Sequence, residues 1–489
     1  MKKYSIILIA TALVTLVSCK EDALFKTNPN ELSPDTFFKT AAQVESAATG
    51  TYAHLQNRGL YTRHMFFMMD NMSQENGRNQ QLEADKVEYL QFAFNANHGP
   101  IGEYWKACYR GINNCNLLIN NEDKVMALND SELSPEMKAK FVGEAKFMRA
   151  LYYFLLVTRF GGVPINDGLS SEGQPRSSED EVYNLIISDL TDATTSLRSK
   201  SVEDTGRATR EAAIAMLGKV YLFRNNKTAA LAEFQKIYGQ FHLEDEYFNN
   251  FTEEGEFGTE SIFEVVYDDE IGGSAWGDTG TGLNEITFRG QEYGVLNWYN
   301  VHVSDDLLDE YEAGDGRLKD NFYMAGDDYC CGTIQESDLA DASGTIYRAA
   351  WKKYQNYHAE ASEDMASGIN FKYLRYADVL LMMAECVYES NPALAVEYIN
   401  EVRTRPSTGL APLPTTLSSA QVFNAIVHER KVELAGEQVR FNDIIRWGNA
   451  ATELAGSNFQ AGKHELLPIP AAEINANAAL SEVDQNPGY

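Results

Sequence analysis

The strongest constraint on the fold of this chain is a pattern of apolar residues at steps of three and four, which recurs in closely spaced pairs. One run covers residues 138–158 and is followed by Gly161, Gly162 and Pro164, and the next covers residues 179–197. This period places apolar side chains on one face of a helix, and a cluster of glycine and proline ends a helix. We expect these two helices to pack antiparallel as a hairpin.

A second pair of runs, over residues 210–238, has the spacing of a tetratricopeptide repeat. The residues that carry this spacing are Leu217, Gly218, Tyr221, Ala230 and Phe234. In that repeat, small residues at the positions of Gly218 and Ala230 let two helices approach closely, and the larger residues fill the seam between them. The spacing therefore predicts a helical hairpin of the tetratricopeptide type.

Two further stretches extend the helical scaffold. Residues 374–403 have a related spacing, with Pro392 at the start of the second helix. Residues 33–52 are predicted as the first helix of the scaffold, because Ser33 is a capping residue and Pro34 suits the first helical position. The sequence therefore predicts a mainly α fold, a tetratricopeptide-like helical-hairpin scaffold of about four pairs.

Residues 253–368 differ from the rest because helical periodicity disappears and glycines alternate with aromatic residues. The aromatic residues of its most glycine-rich part are Trp276, Tyr293, Trp298 and Tyr299. We expect a loop-rich insertion carrying short strands and held against the scaffold, which is the usual setting of a recognition surface. The alternative is that these aromatics form a local core of the insertion.

The amino-terminal residues predict export and a lipid anchor. Lys2 and Lys3 precede an apolar run over residues 4–17, and Ser18 and Cys19 follow. This run is typical of a secretory signal peptide and is too short to span a bilayer. We expect residues 1–18 to be a lipoprotein signal peptide, Cys19 to be acylated, and residues 19–32 to form a tether to the membrane.

Net charge narrows the classes of partner. The 71 acidic residues outnumber the 41 basic ones, so the formal net charge is −30. Such a surface repels phosphate backbones and anionic lipid, so we expect no nucleic-acid partner and membrane attachment through acyl chains rather than basic residues.

After Cys19 an odd number of cysteines remains, so no complete disulfide framework is predicted. Adjacent Cys330 and Cys331 are expected to be free thiols, with a strained vicinal disulfide as the alternative.

No motif predicts catalysis. His428 and Glu429 begin a zincin-like pattern, but Val432 occupies the position of the second histidine, so no metal site is predicted there. No cofactor is expected. Calcium binding stays open for one acidic cluster, for which a solvated helix face is the simpler interpretation: Asp305, Asp306, Asp309 and Asp315. A glycosidase also stays open, because it needs only two suitably placed carboxylates. The charged residues between Glu429 and Trp447 are interpreted as partly buried ion pairs.

An ordered set of short motifs along the chain resembles the SusD/RagB family of outer-membrane lipoproteins. These motifs include Asn28 and Pro29; Trp105, Tyr109, Ile112 and Asn116; Glu144, Arg149 and residues 160–164; Arg375, Tyr376 and Asp378; Glu429, Arg430, Glu433, Arg440, Asp443 and Arg446; and Pro468, Ile469, Pro470 and residues 485–489. The resemblance runs from Cys19 to Tyr489. It divides the mature chain into a SusD-like part over residues 33–252, the glycine- and aromatic-rich region over residues 253–368, and a carboxyl-terminal part over residues 369–489.

The resemblance implies a function. Members of the family bind oligosaccharides at the outside of the outer membrane and cover a SusC-like, TonB-dependent barrel transporter, without catalysis. Aromatic rings stack on the apolar face of a sugar, and polar side chains bind its hydroxyls. From the family layout we expect the glycan to contact Asn76, Arg78, Asn79, Trp276, Tyr293, Trp298 and Tyr299.

Three alternatives to glycan binding are kept. A peptide-binding, RagB-like uptake lipoprotein would use a polar cavity and backbone hydrogen bonds. A surface glycoside hydrolase would use a carboxylate pair. A purely structural helical adaptor would bind neither class of ligand. Trp105 and Trp447 lie in scaffold motifs and are expected to be core, whereas Trp351 fits either the core or the site.

Overall fold

The computed structural model describes residues 37–78, 84–168, 173–271, 283–362 and 366–489. The expected signal peptide, Cys19 and its tether lie outside these residues, as do Asn79 and Trp276. Within the described ranges, no helix combines the length and the apolar character that crossing a bilayer requires.

The described residues are mainly helical, as predicted, and the strands are short. The helices are α1 Ala41–Tyr52, α2 His64–Met72, α3 Ala84–Gln91, α4 Gly99–Ile119, α5 Glu122–Met126, α6 Pro135–Phe160, α7 Glu179–Ser196, α8 Arg210–Phe223, α9 Lys227–Ile237, α10 Arg289–Tyr293, α11 Asp305–Leu308, α12 Arg317–Asn321, α13 Tyr376–Val387, α14 Pro392–Arg403, α15 Ser419–Glu433, α16 Arg440–Arg446, α17 Ala450–Glu453 and α18 Ala471–Ala476. The strands are β1 Asn76–Arg78, β2 Ser261–Val265, β3 His302–Val303, β4 Phe322–Tyr323, β5 Asp328–Tyr329, β6 Gly332–Thr333, β7 Ala350–Trp351 and β8 Phe371–Arg375.

The scaffold is a stack in which α4 packs on α6 and the packing continues through α7, α8, α9, α13, α14 and α15. Helix α6 ends at Phe160 because Gly161 adopts a positive φ of 69°. Three ion pairs join α6 to the helix α7 region in reverse order: Glu136 with Arg198, Lys146 with Asp192, and Arg149 with Asp189. The predicted antiparallel hairpin is therefore confirmed.

The prediction for the first helix is wrong at its start. Helix α1 begins at Ala41, because Thr40 has extended backbone and its hydroxyl accepts a hydrogen bond from the Gln43 amide at 3.3 Å. Phe38, just before the cap, has a positive φ of 63° that no helix contains. The proposed capping residues Ser33 and Pro34 lie outside the described residues.

The tetratricopeptide-like hairpin packs as its spacing predicts. Helix α8 approaches α9 at Gly218, where a Cβ atom would lie 2.5 Å from Cε1 of Phe234. Phe234 and Ala230 are fully buried, so the ring has no free space to move into.

Replacing Gly218 by Ala should therefore lower the free energy of unfolding by about 1–3 kcal/mol through overpacking. The matched control is Gly50→Ala in α1, where a Cβ atom meets nothing within 4 Å. That substitution should stabilise the protein by up to about 1 kcal/mol, because Ala favours a helix over Gly. Urea denaturation measures both changes, and a stabilised Gly218→Ala variant would contradict the close packing.

The loop-rich insertion contains short strands, as predicted, and is tied to the scaffold at its base. Strand β2 pairs antiparallel with β8, where Val265 lies opposite Phe371. Further pairs are β1 with β3, β4 with β7, and β5 with β6. Several aromatic residues of the insertion are packed inside it: Phe288, Tyr293, Tyr299, Tyr323, Trp351 and Tyr357. Tyr299, Tyr323 and Tyr357 belong to a cluster made of insertion residues alone, whereas the cluster of Phe288, Tyr293 and Trp351 also includes Phe66 and Phe67 of α2.

Cys330 and Cys331 form the turn between β5 and β6, and both are exposed free thiols in the structure. Cys108, Cys115 and Cys386 are free and buried. The expectation of two free thiols at the adjacent pair is confirmed.

Candidate functional site

The two regions expected to form the ligand face meet in the β1–β3 ladder. Asn76 lies opposite Val303, and Arg78 lies opposite His302. The loop that follows α2 is thereby fixed against the insertion, although more than 200 residues separate them in sequence. This ladder is the base of the candidate site.

Asn76 is buried, and its side chain forms hydrogen bonds with other buried residues. Its carboxamide oxygen accepts a hydrogen bond from the Trp351 indole Nε1 at 2.8 Å. Its Nδ2 donates to Asn71 Oδ1 at 2.8 Å and to the Tyr293 hydroxyl at 3.3 Å. The expectation that Asn76 contacts a ligand is not met in this conformation, since its hydrogen-bonding groups already bind core residues.

Tyr293 and Tyr299 also turn inward. Tyr293 is 0% exposed; its hydroxyl donates to Asp70 Oδ2 at 2.9 Å, and the Arg289 guanidinium lies 4.5 Å from its ring centroid. Tyr299 is 5% exposed, has a positive φ of 45° and packs edge-on against His302. Neither ring offers a face to solvent, so the expected stacking role does not fit either residue.

Trp298 keeps a half-buried side chain on a firmly held turn. Its backbone amide donates to the Gln291 carbonyl at 3.1 Å. The neighbouring Asn297 donates from Nδ2 to Gln291 Oε1 at 2.9 Å and accepts a hydrogen bond from the Tyr357 hydroxyl. Because the turn is fixed on both sides of the indole, Trp298 is suited to act as a rigid platform. Arg78 is placed by its backbone pairing, and Asn79 and Trp276 lie outside the described residues.

The sequence analysis missed one aromatic stack beside this turn. The rings of His302 and Tyr347 are parallel within 4° and lie 3.8 Å apart, and Tyr347 also lies 6.5 Å from Tyr299. Tyr347 is half-buried, and the adjacent Ile346 is 52% exposed. Trp298 precedes Tyr299 in the chain and Ile346 precedes Tyr347, so the contact of Tyr299 with Tyr347 relates the two segments; we call the partly exposed Trp298, Ile346 and Tyr347 the aromatic patch. No local spacing could have indicated it, because 45 residues separate His302 from Tyr347.

The carboxylate beside the aromatic patch is held in its ionised form. Asp341 accepts hydrogen bonds from the Ser343 hydroxyl at 2.5 Å and from the Tyr347 hydroxyl at 3.0 Å. The Ser343 hydrogen bond is the largest of the effects that lower the pKa of Asp341 to about 2. Such a group is a poor proton donor at neutral pH, so it suits hydrogen bonding to hydroxyls better than acid catalysis.

The acidic residues considered for calcium do not converge. Asp305 and Asp309 both pair with the exposed Arg348, whereas Asp315 is buried against Arg317. Within the described ranges, no group of three or more metal-ligating side chains is close enough to hold an ion.

Two family models match the chain in different regions. The model described as the SusD family matches residues 341–489, and the model described as starch-binding associating with outer membrane matches residues 24–222. A SusD-like protein of Formosa agariphila is 29% identical over 530 residues, with 100% of both chains covered. The chain is similar to the SusD family in both regions. The SusD-like resemblance stated from the sequence motifs is thus confirmed.

Two solved structures share the fold of this chain. A laminarin-binding SusD-like protein is 26% identical with a TM-score of 0.74, covering 92% of this chain and 100% of that one. The surface glycan-binding protein A of Bacteroides thetaiotaomicron, solved in complex with laminarihexaose, is 22% identical with a TM-score of 0.75 over the same shares.

Proposed function

We propose that this chain is a non-catalytic, lipid-anchored glycan-binding protein of the cell surface, which delivers oligosaccharides to a SusC-like, TonB-dependent transporter. Similarity to the SusD family supports glycan binding, and so do a family model described as starch-binding and a laminarin-binding protein of the same fold. The signal peptide and Cys19 support attachment to the outer membrane through acyl chains on the exterior side. Asp341, whose pKa is lowered to about 2, is ionised at neutral pH and is therefore unsuited to act as the general acid of a hydrolase.

The observation that carries the proposal is the half-exposed Trp298 on its fixed turn, beside the His302–Tyr347 stack. A pyranose ring presents C–H groups on its faces and hydroxyls on its rim. Trp298 would stack on a face, and Tyr347 would extend the platform to a second sugar unit. Arg78, Asn79 and Trp276 remain predicted contributors.

Replacing Trp298 by Ala should weaken binding of laminarihexaose by about 1–3 kcal/mol, because the stacking surface is lost. Isothermal titration of the wild-type protein and the variant measures the difference. Trp447→Ala is the matched control: Trp447 is also half-buried but lies on the scaffold against Phe423, so its loss should leave affinity unchanged. Equal affinity of the wild-type and Trp298→Ala proteins would place the glycan site elsewhere.

The same titration separates the proposed function from its rivals when the panel includes several oligosaccharides and peptides. Heat with peptides alone would replace the glycan proposal with peptide capture. Release of new reducing ends during incubation would indicate a hydrolase. Heat with an oligosaccharide and no new reducing ends is the expected result.

A further inference from the structure

Two exposed cysteines make up the whole of one hairpin turn. Cys330 and Cys331 join β5 to β6, and Tyr329 and Gly332 lie opposite each other on the two strands. A two-residue turn between strands favours asparagine and glycine, because its usual forms require a positive φ. Neither cysteine has a positive φ, so the needs of the turn do not explain this pair. The chemistry of the two thiols explains it better.

The three other cysteines among the described residues differ from this pair. Cys108, Cys115 and Cys386 are buried, and burial raises the pKa of each thiol. A thiol reacts as its thiolate and must be reached by the reagent, so these three are unreactive in the folded protein. Cys330 and Cys331 are exposed. Within the described part of the chain, thiol chemistry is therefore confined to the turn.

The two thiols of the turn are not equivalent. Cys330 hydrogen-bonds Cys331, and this contact is the largest of the effects that raise the pKa of Cys330 to about 11. Cys330 therefore keeps its proton at neutral pH, which leaves Cys331 to react first. Once Cys331 is bonded to another sulfur, the interaction that raises the pKa of Cys330 is lost. Cys330 can then ionise and react in turn.

We propose that Cys330 and Cys331 are a redox-active dithiol site, which low-molecular-weight disulfides oxidise to a bond between the two adjacent sulfurs. The Cys331 thiolate attacks one sulfur of the small disulfide and releases the other as a thiol. Cys330 then loses its proton and attacks the Cys331 sulfur of the mixed disulfide, and the second small thiol leaves. Two electrons and two protons pass from the protein to the small disulfide, which becomes two thiols. The export proposed for this chain would place the site where disulfides persist.

Closing this bond must change the shape of the turn. A trans peptide joins the two cysteines. Consecutive Cα atoms are about 3.8 Å apart across such a peptide, whereas a disulfide usually joins Cα atoms at least about 4.4 Å apart. A strained disulfide is readily reduced again, so the oxidation is reversible. In the reduced form the Cys330 amide donates to the Tyr357 carbonyl at 2.8 Å, and we expect the distortion to weaken this hydrogen bond.

Tyr357 connects the hairpin to the turn that carries Trp298. Its side chain is completely buried, and its ring lies 6.3 Å from that of Tyr329 on β5. Its hydroxyl accepts from the Leu296 amide at 3.1 Å and donates to Asn297. A shift of Tyr357 therefore acts on the two residues directly before Trp298. Oxidation of the hairpin should loosen this turn.

The chemical test exposes the full folded chain to cystamine at about pH 8 and maps the products by peptide mass spectrometry after an acid quench. Cystamine is a cationic disulfide, which suits the acidic surroundings of exposed Asp328 and Glu360. The wild type should form a transient adduct on Cys331 and then the closed disulfide. Cys330→Ser should stop at the mixed disulfide, because the second thiol is missing.

The buried cysteines are internal controls and should stay unmodified until urea unfolds the chain. If cystamine leaves both thiols of the turn intact while it modifies the unfolded chain, the site is overturned. A wild-type protein that stops at the mixed disulfide, like Cys330→Ser, would overturn the closing step. A first adduct on Cys330 would overturn the order of reaction.

Hydrogen exchange tests the structural consequence without any glycan. In the closed form the amides of Cys330 and Leu296 should exchange about tenfold faster than in the reduced form, since each hydrogen bond is weakened. Dithiothreitol should restore the slow rates, and a variant with both Cys330→Ser and Cys331→Ser should not respond to cystamine. Equal rates in the two forms would overturn the connection to Trp298. Because no sugar enters either measurement, this inference and the proposed function fail separately.

Discussion

Replacing Arg375 by Met should lower the free energy of unfolding by about 3–5 kcal/mol, since it removes the cation shared by three buried carboxylates. Arg375 is 1% exposed. It donates to Glu260 and Glu433 at 2.6 Å each and to Glu437 at 2.7 Å. Methionine keeps much of the apolar stem, so the loss measures the charge rather than a cavity.

The matched control is Arg348→Met, which also removes an arginine with two carboxylate partners. Arg348 pairs with Asp305 and Asp309, but its side chain is 53% exposed. Water screens such pairs, so the control should cost less than about 1 kcal/mol. Urea denaturation at neutral pH compares the two variants, and equal losses would show that burial does not distinguish these networks.

This network shows how far helical spacing predicts charge pairing. Spacing alone indicated partly buried ion pairs near the carboxyl end of the chain, and the pairs of Asp443 with Arg430 and Arg446 confirm it. The main partners of Glu433 were not predictable. They are Arg317, Arg375 and Arg405, which lie 28 to 116 residues away and are brought together by packing.

These three arginines keep the carboxyl group of Glu433 ionised. Burial alone would oppose its ionisation, but the guanidinium groups of Arg405, Arg375 and Arg317 hold its pKa well below the usual value. The carboxylate therefore stays charged inside the protein and joins α15 to α12 and β8. This role depends on three distant segments, so no pattern within α15 could reveal it.

The candidate site, like the ion pairs, was predictable from the sequence only in part. The helical scaffold was predictable because a period of three to four assigns each residue to a face. The insertion has no such period, so the directions of Trp298 and Tyr299 were not predictable even though the residues are adjacent. Trp351, which the sequence left undecided, is completely buried and donates to Asn76.

An acidic pair, Glu75 and Asp70, should govern the pH dependence of stability. Glu75, the residue before β1, is 3% exposed and accepts hydrogen bonds from the Ser73 hydroxyl at 3.1 Å and the Gly436 amide at 3.3 Å. Burial, followed by the charge of nearby Asp70, raises the pKa of Glu75 to about 8. Burial raises the pKa of Asp70 as well. Glu75 is therefore protonated in the folded protein at neutral pH.

The sign of the effect follows from proton linkage. Between the ordinary pKa of a glutamate and about 8, the folded protein binds a proton at Glu75 that the unfolded chain has released. Stability from this group is therefore complete at acidic pH and is lost as the pH rises through about 8. Glutamine resembles the protonated carboxyl group in shape and cannot ionise, so Glu75→Gln removes the loss.

We expect Glu75→Gln to match the wild type at about pH 5 and to be more stable by about 2–4 kcal/mol at about pH 9. Urea denaturation across this range measures both proteins. Glu256 and Lys353, whose pKa values burial brings to about 8, titrate in both and cancel in the difference. The exposed Glu482→Gln should leave the curve unchanged. If the free energies of unfolding of Glu75→Gln and the wild type depend on pH in the same way, Glu75 is charged in the folded protein. The segment before β1 is then stabilised by other charges.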